Sequence, residues 1–151
     1  FAALEFRSTS ERPRAMIVGG RAMNGDIVNA RWNLEYSANA GYRIKDFSIV
    51  QPTFETLNGV SIIQYADQLI MFGGTDNNLN MRTDILYSKD EGMNWYVPDS
   101  ANNQLPSSYT TRSHQSVLVD NEDNIYIIGG QTTTQSLSDV YRGFLNSSKW
   151  D

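Results

Sequence analysis

Three apolar runs in this chain end in a pair of glycines: Ala15-Met16-Ile17-Val18-Gly19-Gly20, Leu69-Ile70-Met71-Phe72-Gly73-Gly74 and Ile125-Tyr126-Ile127-Ile128-Gly129-Gly130. The leading glycines, Gly19, Gly73 and Gly129, stand 54 and 56 residues apart. A constant period of this size marks a repeat architecture, in which each unit hides its apolar surface against the next. The runs are nearly continuous in apolar residues, as expected of strands covered on both faces. Each glycine pair then marks a place where the backbone needs positive φ or close approach to another chain segment.

The repeat extends to both sides of the glycines. Val60 to Tyr65 reads as a strand followed by a turn at Ala66-Asp67-Gln68, and His114 to Val119 as a strand followed by a turn over Asp120 to Asp123. Phe1 to Arg7 is the corresponding first strand of the first unit. After each glycine pair come a polar loop and a strand ending in tyrosine: Leu34-Glu35-Tyr36, Ile85-Leu86-Tyr87 and Asp139-Val140-Tyr141. Fourth strands are expected over Tyr42 to Val50, over Trp95 to Val97 and from Trp150 onward. Four strands per unit at this period is the layout of a propeller blade. The sequence therefore predicts an all-β fold, an incomplete β-propeller of about three four-stranded blades. Their bounds are about 1–51, 58–98 and 112–151, the last strand cut short.

Composition narrows the functions open to such a fold. Hydrophobic residues make up 40% of the chain, enough to offset the entropy of ordering it. The formal charge is -5, and the lysines are only Lys45, Lys89 and Lys149, with no basic run. Nucleic acid and anionic membrane surfaces are held through clustered cations, so both are poor partners here. No cysteine is present, which removes disulfides, thiolate nucleophiles and Cys-ligated metals. No apolar stretch approaches the length of a bilayer span, so membrane insertion is not expected.

The run Arg112-Ser113-His114-Gln115-Ser116-Val117-Leu118-Val119, then Gly129-Gly130, then Tyr141, then Trp150 resembles one kelch repeat. The second unit resembles it with Trp95 at the tryptophan position but without the Arg/His loop; in the first, Tyr42 stands where tryptophan is expected. Ser88-Lys89-Asp90-Glu91-Gly92-Met93-Asn94-Trp95 is similar to the Asp-box of sialidase-like propellers, with Ser37 to Gly41 as a decayed counterpart. In the box, Ser88 and Asp90 are expected to accept turn N–H groups, Gly92 to turn left-handed and Trp95 to pack beneath. These resemblances imply a structural part for Gly19, Gly20, Gly73, Gly74, Gly129, Gly130, Tyr87, Tyr141, Ser88, Asp90, Gly92, Trp95 and Trp150. They also resemble propeller proteins of the bacterial envelope, which implies an extracytoplasmic location.

Candidate chemistry is sparse. His114 is the one histidine, and no Ser-His-Asp arrangement can be assembled around it. The copper site of galactose-oxidase-like propellers, as the resemblance has it, takes a Tyr–Cys cross-link and two histidines, which this chain cannot supply. The nine arginines include no Arg-Ile-Pro element of the sialidase kind; Arg43-Ile44-Lys45 is a near miss. Asp84 and Asp139 sit at matching repeat positions, which points to blade architecture. Asp76-Asn77-Asn78 and Asp120 to Asp123 carry oxygen donors but lack the spacing of a calcium loop. No catalytic residue, cofactor or metal is therefore assigned.

The expected function is a non-catalytic binding or scaffold module. Carbohydrate or protein would be held by loops such as Thr75 to Arg82 and Gln131 to Ser136. The alternative is part of a propeller enzyme, of sialidase-like or galactose-oxidase-like type, whose catalytic residues lie mostly outside this chain. An intracellular kelch adaptor is a third reading. Three blades leave apolar sheet faces without neighbours, so further blades or another copy of the chain are expected as partners.

Overall fold

A computed structural model of the 151-residue chain describes residues 2–7, 13–27, 30–49, 58–98 and 105–144. They contain strands, turns and loops and no helix. Three antiparallel sheets follow one another along the chain. Sheet 1 comprises β1 (Ala2–Arg7), β2 (Pro13–Val18), β3 (Ala30–Ser37) and β4 (Gly41–Ile49). Sheet 2 comprises β5 (Ser61–Tyr65), β6 (Gln68–Phe72) and β7 (Leu86–Ser88); sheet 3 comprises β8 (Ser116–Val119), β9 (Ile125–Gln131) and β10 (Ser136–Gly143). Every sheet is a meander in chain order. The first strands of successive sheets lie beside one another, β1 against β5 and β5 against β8. That is the inner rim of a propeller, and the fold is an all-β, incomplete propeller.

Period-two alternation builds the core. Along β6, Leu69 and Met71 turn back to sheet 1, where they join Met16, Val18, Ile62, Leu86 and Trp95. Ile70 and Phe72 turn forward to sheet 3, where they join Ile63, Tyr87, Ile125 and Ile127. The middle sheet is thus apolar on both faces, as its nearly continuous apolar run requires.

The glycine pairs adopt one conformation three times, with φ near 65° then 113° at Gly19 and Gly20, 64° then 98° at Gly73 and Gly74, and 58° then 101° at Gly129 and Gly130. Close approach adds to the demand at Gly73. A Cβ there would lie 2.4 Å from the Arg112 carbonyl oxygen, because the segment entering sheet 3 crosses the end of sheet 2 at this point. The Gly74 N–H donates to that same carbonyl, and the Gln115 side-chain amide donates to the Phe72 carbonyl.

Two sequence expectations change. The strand expected over Trp95 to Val97 is reduced to a single bridge between Tyr87 and Tyr96, since Trp95 turns into the core between sheets 1 and 2. The tyrosines Tyr36, Tyr87 and Tyr141 do not share a register position. Tyr87 pairs with Ile70, whereas Tyr141 pairs with Ile127, one step closer to its glycine pair. The cause is a bulge in β10, where Ser138 and Asp139 together oppose Gly129. One extra residue moves every following side chain to the other face of the sheet. Tyr141 consequently looks back toward sheet 2, into the same interface that Tyr87 enters from the opposite side. The strand expected at Trp150 lies outside the described residues.

Candidate binding face

The topology separates two ends of the sheets. At one end lie the glycine pairs, the loops that follow them and the entries to the inner strands. The bridges Asn58–Thr75 and Ser113–Gln131 tie entry and loop together in sheets 2 and 3. At the other end lie the β5–β6 and β8–β9 hairpins and the Ser88–Trp95 segment.

On the glycine-pair end, two loops are built alike. Arg21 bridges Ile27 and Thr75 bridges Met81, so each loop spans seven residues. The third is a tight turn in which the Thr132 N–H donates to the Gln135 carbonyl, carrying β9 directly into β10. The Thr75–Met81 loop is held by the Asp76 carboxylate, which accepts the N–H groups of Asn78 and Asn80, each at 2.8 Å, and the Asn80 amide at 2.9 Å. The Asn80 side-chain hydrogen bond, with the two backbone N–H groups, holds the Asp76 carboxyl below its ordinary range. Leu79 sits at the tip with φ 66° and is 61% exposed. Its counterpart in the first loop is Gly25, at φ 91°. A leucine held left-handed in a position that glycine fills elsewhere stores strain, and such strain persists only where the surroundings enforce it.

His114 stands at the entry to sheet 3, exposed and at φ 59°. Its N–H donates to the Gly59 carbonyl, and its ring lies where a Cβ on Gly59 would stand, 2.6 Å from Nδ1. Nδ1 is 3.0 Å from the Ser113 hydroxyl and 3.3 Å from the Gln131 amide nitrogen. No described carboxylate bonds to it, so the imidazole works as a spacer between two inner strands.

Several other charged groups are committed to structure. Arg112 is fully buried; its guanidinium binds both oxygens of Asp139 and donates to the carbonyls of Gly129 and Thr110. The rings of Tyr109 and Tyr141 flank it, with centroids 4.6 and 5.2 Å from the guanidinium carbon. The β10 bulge aims Asp139 and Tyr141 at this point. Burial pushes the Tyr109 phenol up to about 12, against the opposing pull of Arg112, and burial also raises Tyr87. Both phenols therefore stay protonated at neutral pH.

At the opposite end, the Ser88–Trp95 segment is a wedge between sheets 1 and 2. The Ser88 hydroxyl donates to Asp90 and accepts the Gly92 N–H at 2.8 Å, while Asp90 accepts the N–H and amide of Asn94. Gly92, at φ 81°, backs onto Met16, and Glu91 forms an ion pair with Arg14 of β2. Burial opposes charge on Asp90, but the bonds from Asn94, Ser88 and Met93 outweigh it and lower its pKa. Asp120 repeats the device. It accepts the N–H groups of Glu122 and Asn124 and the Asn124 amide, which outweigh the effect of burial and lower its pKa.

An Asp followed four residues later by Asn thus closes three turns, at Asp76/Asn80, Asp90/Asn94 and Asp120/Asn124. The spacing is visible in the sequence once its geometry is known. N–H donors converge on these carboxylates, so the calcium reading of Asp76 and Asp120 finds no support in the geometry. Among the described residues, no group of three His, Cys, Asp or Glu side chains converges as a metal site would require.

The family model for the DUF6242 beta propeller domain matches residues 1–151. A comparison with curated proteins gave no match.

Proposed function

The chain belongs to the DUF6242 β-propeller family, and from that premise we propose that it is a non-catalytic binding module whose ligand is carbohydrate, held on the glycine-pair end of the sheets. The observation that carries this reading is Leu79, exposed and left-handed on a loop that Asp76 makes rigid. Preorganised loops lose little freedom on binding. An apolar tip next to exposed Asn78, with exposed Thr134 and Gln135 on the following turn at the same end, offers what a sugar needs: a surface for its C–H face and donors and acceptors for its hydroxyls. The commitment of Asp76, Asp90, Asp120 and Asp139 to internal partners speaks for binding over hydrolysis.

On this reading the blades are of the kelch kind, the Ser88–Trp95 segment is an Asp-box serving as a wedge, and the protein works outside the cytoplasm. A glycan array with the purified chain tests the ligand, and chromogenic glycosides test for turnover. The expected result is glycan binding without turnover, weakened at least about tenfold in Leu79→Asp, which loses apolar contact area. Turnover abolished by a single carboxylate substitution would reverse the reading, and capture of protein ligands alone would redirect it. Cell fractionation tests the location.

A further inference from the structure

Two asparagines in this chain are followed directly by glycine, Asn24 and Asn58. Glycine sets no side chain over the asparagine amide, so its backbone nitrogen can reach the asparagine Cγ and expel ammonia. The fold treats the two pairs in opposite ways. Asn24 and Gly25 are both exposed, on the loop that the Arg21–Ile27 bridge closes. A Cβ on Gly25, at φ 91°, would meet nothing within 4 Å, which leaves room for a ring to form. The peptide joining the pair is held by a turn bond, from the Gly25 N–H to the Ala22 carbonyl at 2.9 Å. The Asp26 N–H donates to Asn24 Oδ1 at 3.2 Å and so draws electron density from the carbon to be attacked. Asn58 and Gly59 lie instead where the chain enters sheet 2. The Asn58 N–H and carbonyl are both bonded to Thr75, each at 2.9 Å. Gly59 is buried, its carbonyl accepts the His114 N–H, and the His114 ring stands 2.6 Å from where its Cβ would be. That peptide cannot turn unless the entry to sheet 2 comes apart.

We propose that Asn24 is a site of spontaneous deamidation, and that its product opens the Arg21–Ile27 loop. The Gly25 nitrogen gives its proton to solvent and bonds to Asn24 Cγ. The Cγ–Nδ2 bond breaks, and ammonia leaves with a proton returned from solvent. The cyclic imide then takes up a water molecule, which opens it at either carbonyl and leaves an aspartyl or an isoaspartyl residue at position 24. Water is the co-reactant, and nothing is oxidised or reduced. Local opening sets the rate, because an exposed turn opens at little cost while a bridged entry between strands opens at a cost closer to that of unfolding. The consequence follows from the Asp26 side chain. Asn24 Nδ2 donates to Asp26 Oδ2 at 2.6 Å. Exchange of that donor for an oxygen sets two carboxylates face to face, and like charges at that distance repel. The isoaspartyl product also adds a backbone atom to the seven-residue loop. A negative charge is thereby gained at the glycine-pair end, on the loop that matches Thr75–Met81. This inference is independent of the ligand reading above.

The test is to hold the folded chain in mildly alkaline buffer and follow both positions by peptide mapping with mass spectrometry, with enzymatic methylation to report isoaspartyl residues. Position 24 should convert at least about tenfold faster than position 58. In guanidinium chloride, where the fold no longer distinguishes them, the two should convert at similar rates. Asn24→Gln, whose longer side chain closes a ring far more slowly, should remove the methylation signal from the folded chain. Asn24→Asp reads the consequence: hydrogen exchange at the Ala22 and Gly25 N–H groups should quicken at least about threefold. Equal rates at the two positions in the folded chain would overturn the proposal. So would a position 24 that converts in denaturant but not in the fold, or a methylation signal that survives Asn24→Gln. Unchanged exchange in Asn24→Asp would overturn the opening of the loop.

Discussion

Sheets 2 and 3 carry the same repeat and are held in different ways. Sheet 2 has a neighbour on each face, and among the described residues no ion pair clamps its third strand as Arg112 clamps that of sheet 3: Ile70, Met71, Phe72 and Leu86 are all almost completely buried. Sheet 3 has one described neighbour. Its third strand is pinned instead by Arg112, which reaches Asp139 across the Gly129 bulge and lies between two tyrosine rings. Asp84 occupies the matching place in sheet 2, but its contact is a 3.7 Å approach to Arg82 at the surface. The position that would mirror Arg112 is Leu57. A sheet closed in on both sides is specified by packing, while a sheet with one open face gains its register from a polar bolt that apolar contact cannot supply there.

The contrast can be broken most forcefully at the residues preceding the glycine pairs. Phe72→Ala should cost about 3–5 kcal/mol, as for an aromatic ring removed from a closed core. Ile128→Ala should cost below about 1 kcal/mol at low protein concentration, since much of its surface already meets solvent. Urea titrations followed by tryptophan fluorescence compare the two; equal losses would contradict the assignment of an open face to sheet 3.

The glycines come next. Gly73→Ala and Gly129→Ala both force a left-handed alanine, at about 1–2 kcal/mol. At Gly73 the new methyl also meets the Arg112 carbonyl at 2.4 Å, whereas at Gly129 the nearest atom is the Leu137 carbonyl oxygen at 3.2 Å. Gly73→Ala should therefore cost about 3 kcal/mol or more, clearly above Gly129→Ala, in thermal melts.

Asp139→Ala orphans the buried Arg112 charge. A loss of about 2–3 kcal/mol is expected, toward the low end for such a change because the Asp139 side chain is itself 40% exposed and screened. Asp84→Ala should change stability by less than about 0.5 kcal/mol. Acid titration sharpens the pair. The Arg112 hydrogen bond holds the Asp139 carboxyl below its ordinary range. Its contribution is complete above the unfolded carboxyl pKa of about 4 and falls away as pH drops through the lower folded value. Asp139→Ala should consequently show a shallower loss of stability on acidification than the parent chain.

The smallest effect is expected at Leu79. Leu79→Gly, which copies Gly25, should raise stability by about 0.5 kcal/mol, strain relief exceeding the added chain entropy. A loss instead would show that Leu79 has packing value beyond its exposed position.

Much of this architecture can be read from the residues. Apolar runs closed by glycine pairs encode strands with two covered faces, and Ser88, Asp90, Gly92 and Trp95 encode a turn whose hydrogen bonds are nearly all local. Local chemistry is what a sequence displays. The β10 bulge is another matter. Nothing in Ser136 to Gly143 announces an extra residue, because the bulge answers to Arg112, some twenty-seven positions upstream of Asp139 in the bond that it permits. Trp95 likewise fits a strand by type, yet the gap between sheets 1 and 2 claims it for the core. The proposed binding face is legible as polar loops, but the strain at Leu79 emerges only when its loop is matched with that around Gly25, and the match depends on bridges far apart in the chain.

Each described sheet is woven from one uninterrupted stretch of polypeptide, and neighbours touch only along their flanks. Modules of this kind add their stabilities, each contributing its own share plus a term for every seam with an adjacent module. A gene encoding such an array can lengthen or shorten by whole units without rethreading what remains. The stretches between β4 and β5 and between β7 and β8, where one unit hands the chain to the next, then become the natural joints for recombination.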